Sequence, residues 1–258
     1  MIDIGVNFHS PQLAGIGSEL IERAHAAGVT EILATGVSLQ GSQQALAFAQ
    51  AHDRVWSTAG VHPHSAKEWN NDTSAHLDGL WSNPKVVAVG ECGLDYCRMF
   101  SPKEAQRAAF EAQIAAAVAR KKPLFLHCRD AFEDFHAMLV DASDAGAHGV
   151  VHCFTGSAQE AEAYLALGFD LGITGWVTDE KRGQALRSAL AVIPVDRLHL
   201  ETDAPYLRPR NAGKTRSYNE PALLPFVAQA VAALKRMDAK DLSERAAANS
   251  RRLFGLPA

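Results

Sequence analysis

Seven acids and histidines sit inside or directly after short apolar runs: Asp3, His62, His64, Glu91, His127, His152 and Asp203. Their settings include Gly60-Val61-His62-Pro63-His64, Gly90-Glu91-Cys92-Gly93-Leu94-Asp95, Leu126-His127-Cys128-Arg129, Val151-His152-Cys153-Phe154 and Glu201-Thr202-Asp203-Ala204-Pro205. Imidazole nitrogen with carboxylate oxygen suits Zn, Mn, Fe or Mg, with positions left open for water and substrate. Such a metal lowers the pKa of bound water and polarises a phosphoryl or acyl oxygen, and a second one about 4 Å away would brace the leaving group. One histidine at the end of an apolar run is ordinarily a hydrogen-bonded structural residue. Several such groups in equivalent places would, if structural, hold costly polar atoms near a core with no shared purpose. A metal site is therefore expected, with Asp203 both a ligand and the acceptor of a proton from metal-bound water. Glu201 is expected to be structural.

Eight β-rich runs must position these groups: Ile2 to Val6, Glu31 to Thr35, Val55 to Gly60, Val86 to Gly90, Pro123 to His127, Gly149 to His152, Phe169 to Thr174 and Leu198 to Glu201. Stretches of helical length alternate with them, among them Gly17 to Ala27, Glu104 to Arg120 and Lys181 to Leu190. Runs as continuously apolar as Val86-Val87-Ala88-Val89 fit strands buried on both faces. The expected fold is α/β, a single (β/α)8 TIM barrel over residues 1–258, with a doubly wound open sheet as the alternative. In a barrel the seven groups converge on the C-terminal mouth. Alternation then turns Cys92, Cys128 and Cys153 away from Glu91, His127 and His152, as small core residues and not zinc thiolates. Two last helices are expected over Glu220 to Lys235 and Asp241 to Arg251, with Pro225 kinking the first or marking a later start.

A net charge of -4 excludes a protein that coats nucleic acid electrostatically, though a cleft with local positive charge remains compatible with it. Four cysteines without paired spacing, no basic-then-apolar opening and no apolar run of membrane length lead to the expectation of a cytoplasmic protein with reduced thiols and no membrane contact; a monomer is expected beside this.

The blocks Gly-Val-His-Pro-His, Gly-Glu-Cys-Gly-Leu-Asp, His-Cys-Arg, His-Cys-Phe-Thr-Gly and Glu-Thr-Asp-Ala-Pro-Tyr resemble the signature blocks of TatD-type metal-dependent deoxyribonucleases. The Asn249 to Phe254 ending agrees too, the opening Asp3 to Asn7 and the Gly172 to Trp176 block are similar to one branch within that family, and the resemblance covers essentially the full length. It implies a TIM-barrel nuclease that uses magnesium, or else Mn2+ or Zn2+, to remove nucleotides from the 3′ end of single-stranded DNA and RNA, in DNA repair or nucleic-acid degradation. By matched position it implies Glu91, His127, His152 and Asp203 as metal ligands, Glu91 and Asp203 as catalytic, and His62, His64 and Arg129 as residues around the metal and scissile phosphate, with Asn7 counted among the substrate contacts.

Many relatives begin Asp-x-His-x-His, where this chain has Gly5 and Asn7. Glycine offers no ligand and an amide oxygen suits Mg2+ better than a transition metal, so one metal position is left open. The segment Leu207 to Ser217 carries Arg208, Arg210, Lys214 and Arg216 without an acid, a phosphate track or a merely solvated loop. Arg98 with Phe100, and Trp176, are either clamps for unpaired bases or loop anchors. Two rival functions stand beside the nuclease: a barrel hydrolase of small amides, lactones or esters, and a non-catalytic binding scaffold.

Overall fold

Strands appear where the apolar runs are. In the computed structural model, which describes residues 1–213 and 217–257, the eight strands are β1 (Ile2–Val6), β2 (Glu31–Ala34), β3 (Val55–Ala59), β4 (Val86–Asp95), β5 (Leu124–Arg129), β6 (Gly149–Val151), β7 (Asp170–Ile173) and β8 (Leu198–Leu200). They form one sheet in sequence order, and β3 with β4, β4 with β5, β5 with β6 and β7 with β8 pair parallel. With helices in the crossovers, this is the connectivity expected of a (β/α)8 fold. Strand β4 is longer than the sequence suggests, running through Glu91 to Asp95 with every residue buried.

The chain divides into two compact units. The central unit, Ala34–His152 with Ala166–Phe169, contains β3 to β6 and the helices α2 (Leu39–Ala51), α3 (Asn71–Trp81), α4 (Lys103–Arg120) and α5 (Phe132–Asp144). Short polar side chains start two of these helices: Ser38 Oγ accepts from Gly41 N and Asn70 Oδ1 from Thr73 N. The Trp81 indole at the end of α3 donates to the carbonyl of Ala59, which fixes the end of β3.

The other unit comprises Met1–Leu33, Cys153–Leu165 and Asp170–Ala258. It holds β1, β7, β8, α1 (Gly17–Ala26), most of α6 (Ala158–Ala166), α7 (Gln184–Ala189), α8 (Leu224–Lys235) and α9 (Ala239–Phe254). Helix α8 starts later than Glu220, because Pro225 lacks an N–H and fits only the first turn; Pro221–Leu223 make a 3-10 turn instead. Asp238 caps α9 through the amides of Lys240 and Asp241. The Asn-Ser-Arg-Arg block of α9 is a set of fastenings: Asn249 donates to the carbonyls of Val195 and Leu198, Ser250 meets His199 Nδ1 at 2.9 Å, and Arg251 pairs with the fully buried Glu31. His199 turns its Nε2 to Asp170, which also takes Arg197. Among the described residues no helix is long and apolar enough to cross a membrane.

Candidate functional site

The site is built from the ends of β3 to β6, all within the central unit. Past Ala59, Gly60 is held by Ser42 Oγ, and a Cβ there would come within 2.5 Å of the Gly90 Cα, so only glycine lets the two backbones approach. The Gln113 amide then clamps Val61 from both sides, accepting from its N–H and donating to its carbonyl. His62 follows as the cap of the Pro63–Glu68 turn: its Nδ1 accepts from His64 N, leaving Nε2 to face Glu91 Oε1 at 3.3 Å.

Glu91 is placed by an irregularity. The β4–β5 register runs from Gly90 opposite Phe125 directly to Cys92 opposite Leu126, so Glu91 is the extra, unpaired residue of a bulge, a device that re-aims a side chain. Its Oε1 is approached by three imidazole nitrogens: His152 Nε2 at 2.9 Å, His127 Nδ1 at 3.1 Å and His62 Nε2. The Phe125 ring stacks on His152 and fixes its plane. Burial acts to raise the Glu91 carboxyl, yet the surrounding imidazoles of His152, His62 and His127 hold it well below the usual carboxylate range. His62, buried with only partial compensation from Glu91, is pushed down to about 4. His127 goes the other way: burial opposes its protonation, but Asp95 and Glu91 on its two ring nitrogens prevail and raise it.

Asp95 is the residue that sequence reasoning missed. Its Oδ2 meets His64 Nε2 at 2.9 Å and His127 Nε2 at 3.3 Å, while Oδ1 accepts from the amides of Cys97 and Arg98. Burial raises this carboxyl, and the hydrogen bonds of His127 and His64 lower it further than burial lifts it. The signal was present: Glu91, Gly93 and Asp95 follow one another at the two-residue spacing of a strand face.

His62, Glu91 and His127 place ligand atoms within 4.8 Å of one another. Two carboxylates and four imidazoles at hydrogen-bond range form a donor set that fits a divalent cation. Arg129 closes β5 and is exposed. Asn7 and Asp203 belong to the other unit, where the buried Asn7 amide donates to Asp203 Oδ1 at 2.8 Å and to the Ala204 carbonyl. Asp203 has a left-handed backbone, and its N–H donates to Gly5. Glu201 is fully buried and accepts from Cys153 N, in keeping with a structural role. In the basic segment Arg208 donates to the Gly213 carbonyl and Arg210 lies 3.5 Å from Asp179; Lys214 and Arg216 are outside the described residues. Arg182 lies over the half-buried Trp176 ring.

A family model described as TatD related DNase matches residues 2–255. The chain belongs to the TatD-related DNase family. This TatD-family chain is 49% identical to the protein named 3′-5′ ssDNA/RNA exonuclease TatD of Erwinia tasmaniensis, over 99% of the chain and 100% of that protein. It is 50% identical to the protein of the same name from a Rahnella strain, covering 100% and 99%. Among solved structures, a TatD homologue of Escherichia coli K12 superposes with a TM-score of 0.92 at 28% identity over 100% and 98% of the two chains. A TIM-barrel protein of Bordetella bronchiseptica, at 12% identity and a TM-score of 0.59 over 99% and 98%, shares the fold alone. The (β/α)8 barrel class expected from the sequence is thus the class of this TatD-family chain.

Proposed function

We propose that this chain is a metal-dependent 3′-5′ exonuclease that hydrolyses phosphodiester bonds of single-stranded DNA and RNA, in DNA repair or nucleic-acid degradation in the cytoplasm, working as a single catalytic domain and a monomer. The observation that carries the reading is the Glu91 carboxylate ringed by His62, His127 and His152, in a chain half identical to proteins named for that activity. Glu91, His127 and His152 supply ligands, with Mg2+ the favoured ion and Mn2+ or Zn2+ as alternatives. When bound, the ion activates water and neutralises charge on the phosphoryl oxygens. Asp203 keeps the ligand and base role its place after β8 suggests, steadied by Asn7. Arg129 presents a planar fork suited to a phosphate, and His64, oriented by Asp95, serves as a second phosphate contact.

A 5′-labelled single-stranded oligonucleotide, digested with Mg2+, with EDTA and with Glu91→Ala, tests this. The expected result is a ladder shortening from the 3′ end that needs both metal and Glu91. An oligonucleotide left intact under every divalent ion tried, together with turnover of a small ester or amide, would transfer the same residues to a small-molecule hydrolase.

A further inference from the structure

The loop that leaves β4 is braced from beneath and apolar on top. Asp95 Oδ1 holds the amides of Cys97 and Arg98. The fully buried Ser101 donates to the His64 carbonyl and accepts from Lys67 N. The buried Gln106 side chain joins the carbonyls of Asp95 and Ser101 while accepting from Asp95 N. Between these anchors, Met99 takes a left-handed backbone, and Met99 and Phe100 stand 43% and 57% exposed. A loop anchor would bury its aromatic ring; this one holds the ring out. The Phe100 ring meets His64 edge to face at 4.8 Å, and His64 meets Asp95, so the exposed aromatic adjoins the candidate metal group.

We infer that Phe100, steadied by the braced loop, is the stacking platform for an unpaired base next to the scissile phosphodiester, with Met99 as the apolar flank and Arg98 as a backbone contact. The inference rests on the exonuclease reading and adds to it how the substrate end is gripped. An unpaired base brings a flat, polarisable face that water covers poorly, and stacking on an aromatic side chain is tolerant of base identity. It also requires the strand to be single, because a paired and stacked base has no free face to offer.

The test uses Phe100→Ala, Phe100→Leu and Phe100→Trp in the full chain, with two Mg2+ substrates: an ordinary single-stranded oligonucleotide, and one whose last two 3′ nucleotides lack bases. Stacking predicts that Phe100→Ala raises KM for the ordinary strand by roughly tenfold and leaves kcat nearly unchanged. The wild type should pay the same penalty on the abasic-ended strand, and Phe100→Ala should add nothing to it. Trp should restore the ordinary KM, and Leu should not. Fluorescence anisotropy of the same oligonucleotides with the protein in EDTA should rank the variants alike. Equal losses on both strands, no loss at all, or rescue by Leu as full as by Trp would overturn the proposal. If the wild type leaves the ordinary strand intact, the exonuclease reading falls by itself, and the anisotropy series alone then decides whether Phe100 binds bases.

Discussion

At the scale of single residues, the two buried acids Glu91 and Asp3 show opposite outcomes of burial. Glu91 faces imidazoles and stays ionised, whereas Asp3 faces the buried Glu201 carboxylate and is pushed from its ordinary 3.8 up to about 8, first by burial and further by Glu201, against hydrogen bonds from Thr202 and Gly5. An acid raised in this way holds its proton more tightly in the folded than in the unfolded chain. Its contribution to stability is therefore whole below about pH 4 and is withdrawn as the pH climbs through 8. Urea midpoints taken at about pH 5 and pH 8 should fall more steeply for the wild type than for Asp3→Asn; parallel falls would refute the assignment. Neither environment was legible from residue type alone. The sequence showed that acids and histidines recur at the ends of apolar runs, but which acid meets imidazole and which meets another acid depends on pairings such as Thr202 with Asp3, 199 residues apart.

The element that decides the site is β4, whose sequence shows only part of its course. The run Val86 to Gly90 reads as the strand with Glu91 following it, and a glycine ordinarily weakens a strand interior. Glycine is there for another reason. Gly90 and Gly93 lie at φ of 130° and 140°, where a Cβ would stand 2.2 Å from the Phe125 carbonyl oxygen and 2.0 Å from that of His127. The strand thus continues through a bulge that no alternating pattern reveals, and Asp95 enters the site as a result. Gly93→Ala should displace His127 and reduce metal-dependent turnover by about a hundredfold, with a lowered Tm. Gly79→Ala, in α3 with open space around it, should leave turnover unchanged and Tm equal or slightly higher. Equal behaviour of the two variants would show that the close approach of β4 to β5 is not what positions His127.

For the molecule as a whole, fold class was the most legible property, because eight apolar runs separated by helical lengths leave few connectivities open. What the composition concealed is how the last helix is tied down. Arg251 of α9 pairs with Glu31, whose side chain is fully buried. Replacing Arg251 by Met strips compensation from a buried carboxylate and should cost about 3 kcal/mol, while Met at 251 combined with Leu at Glu31 should recover most of it. Additive losses in that double-mutant cycle, read from denaturant unfolding, would deny the pair any coupling. The division into two interleaved units also sets an order of events during synthesis. His62, His127 and His152, which approach Glu91, have all left the ribosome once residue 152 has, so the carboxylate–imidazole cluster lies in a nearly continuous stretch of nascent chain. In the other unit β1 meets its neighbour β2 early, but the Asn7–Asp203 hydrogen bond spans 196 residues and forms only after β8 has been made. The unit that holds Asn7 and Asp203 is therefore the later of the two to complete, and its unfinished apolar faces are what chaperones meet during the later half of translation.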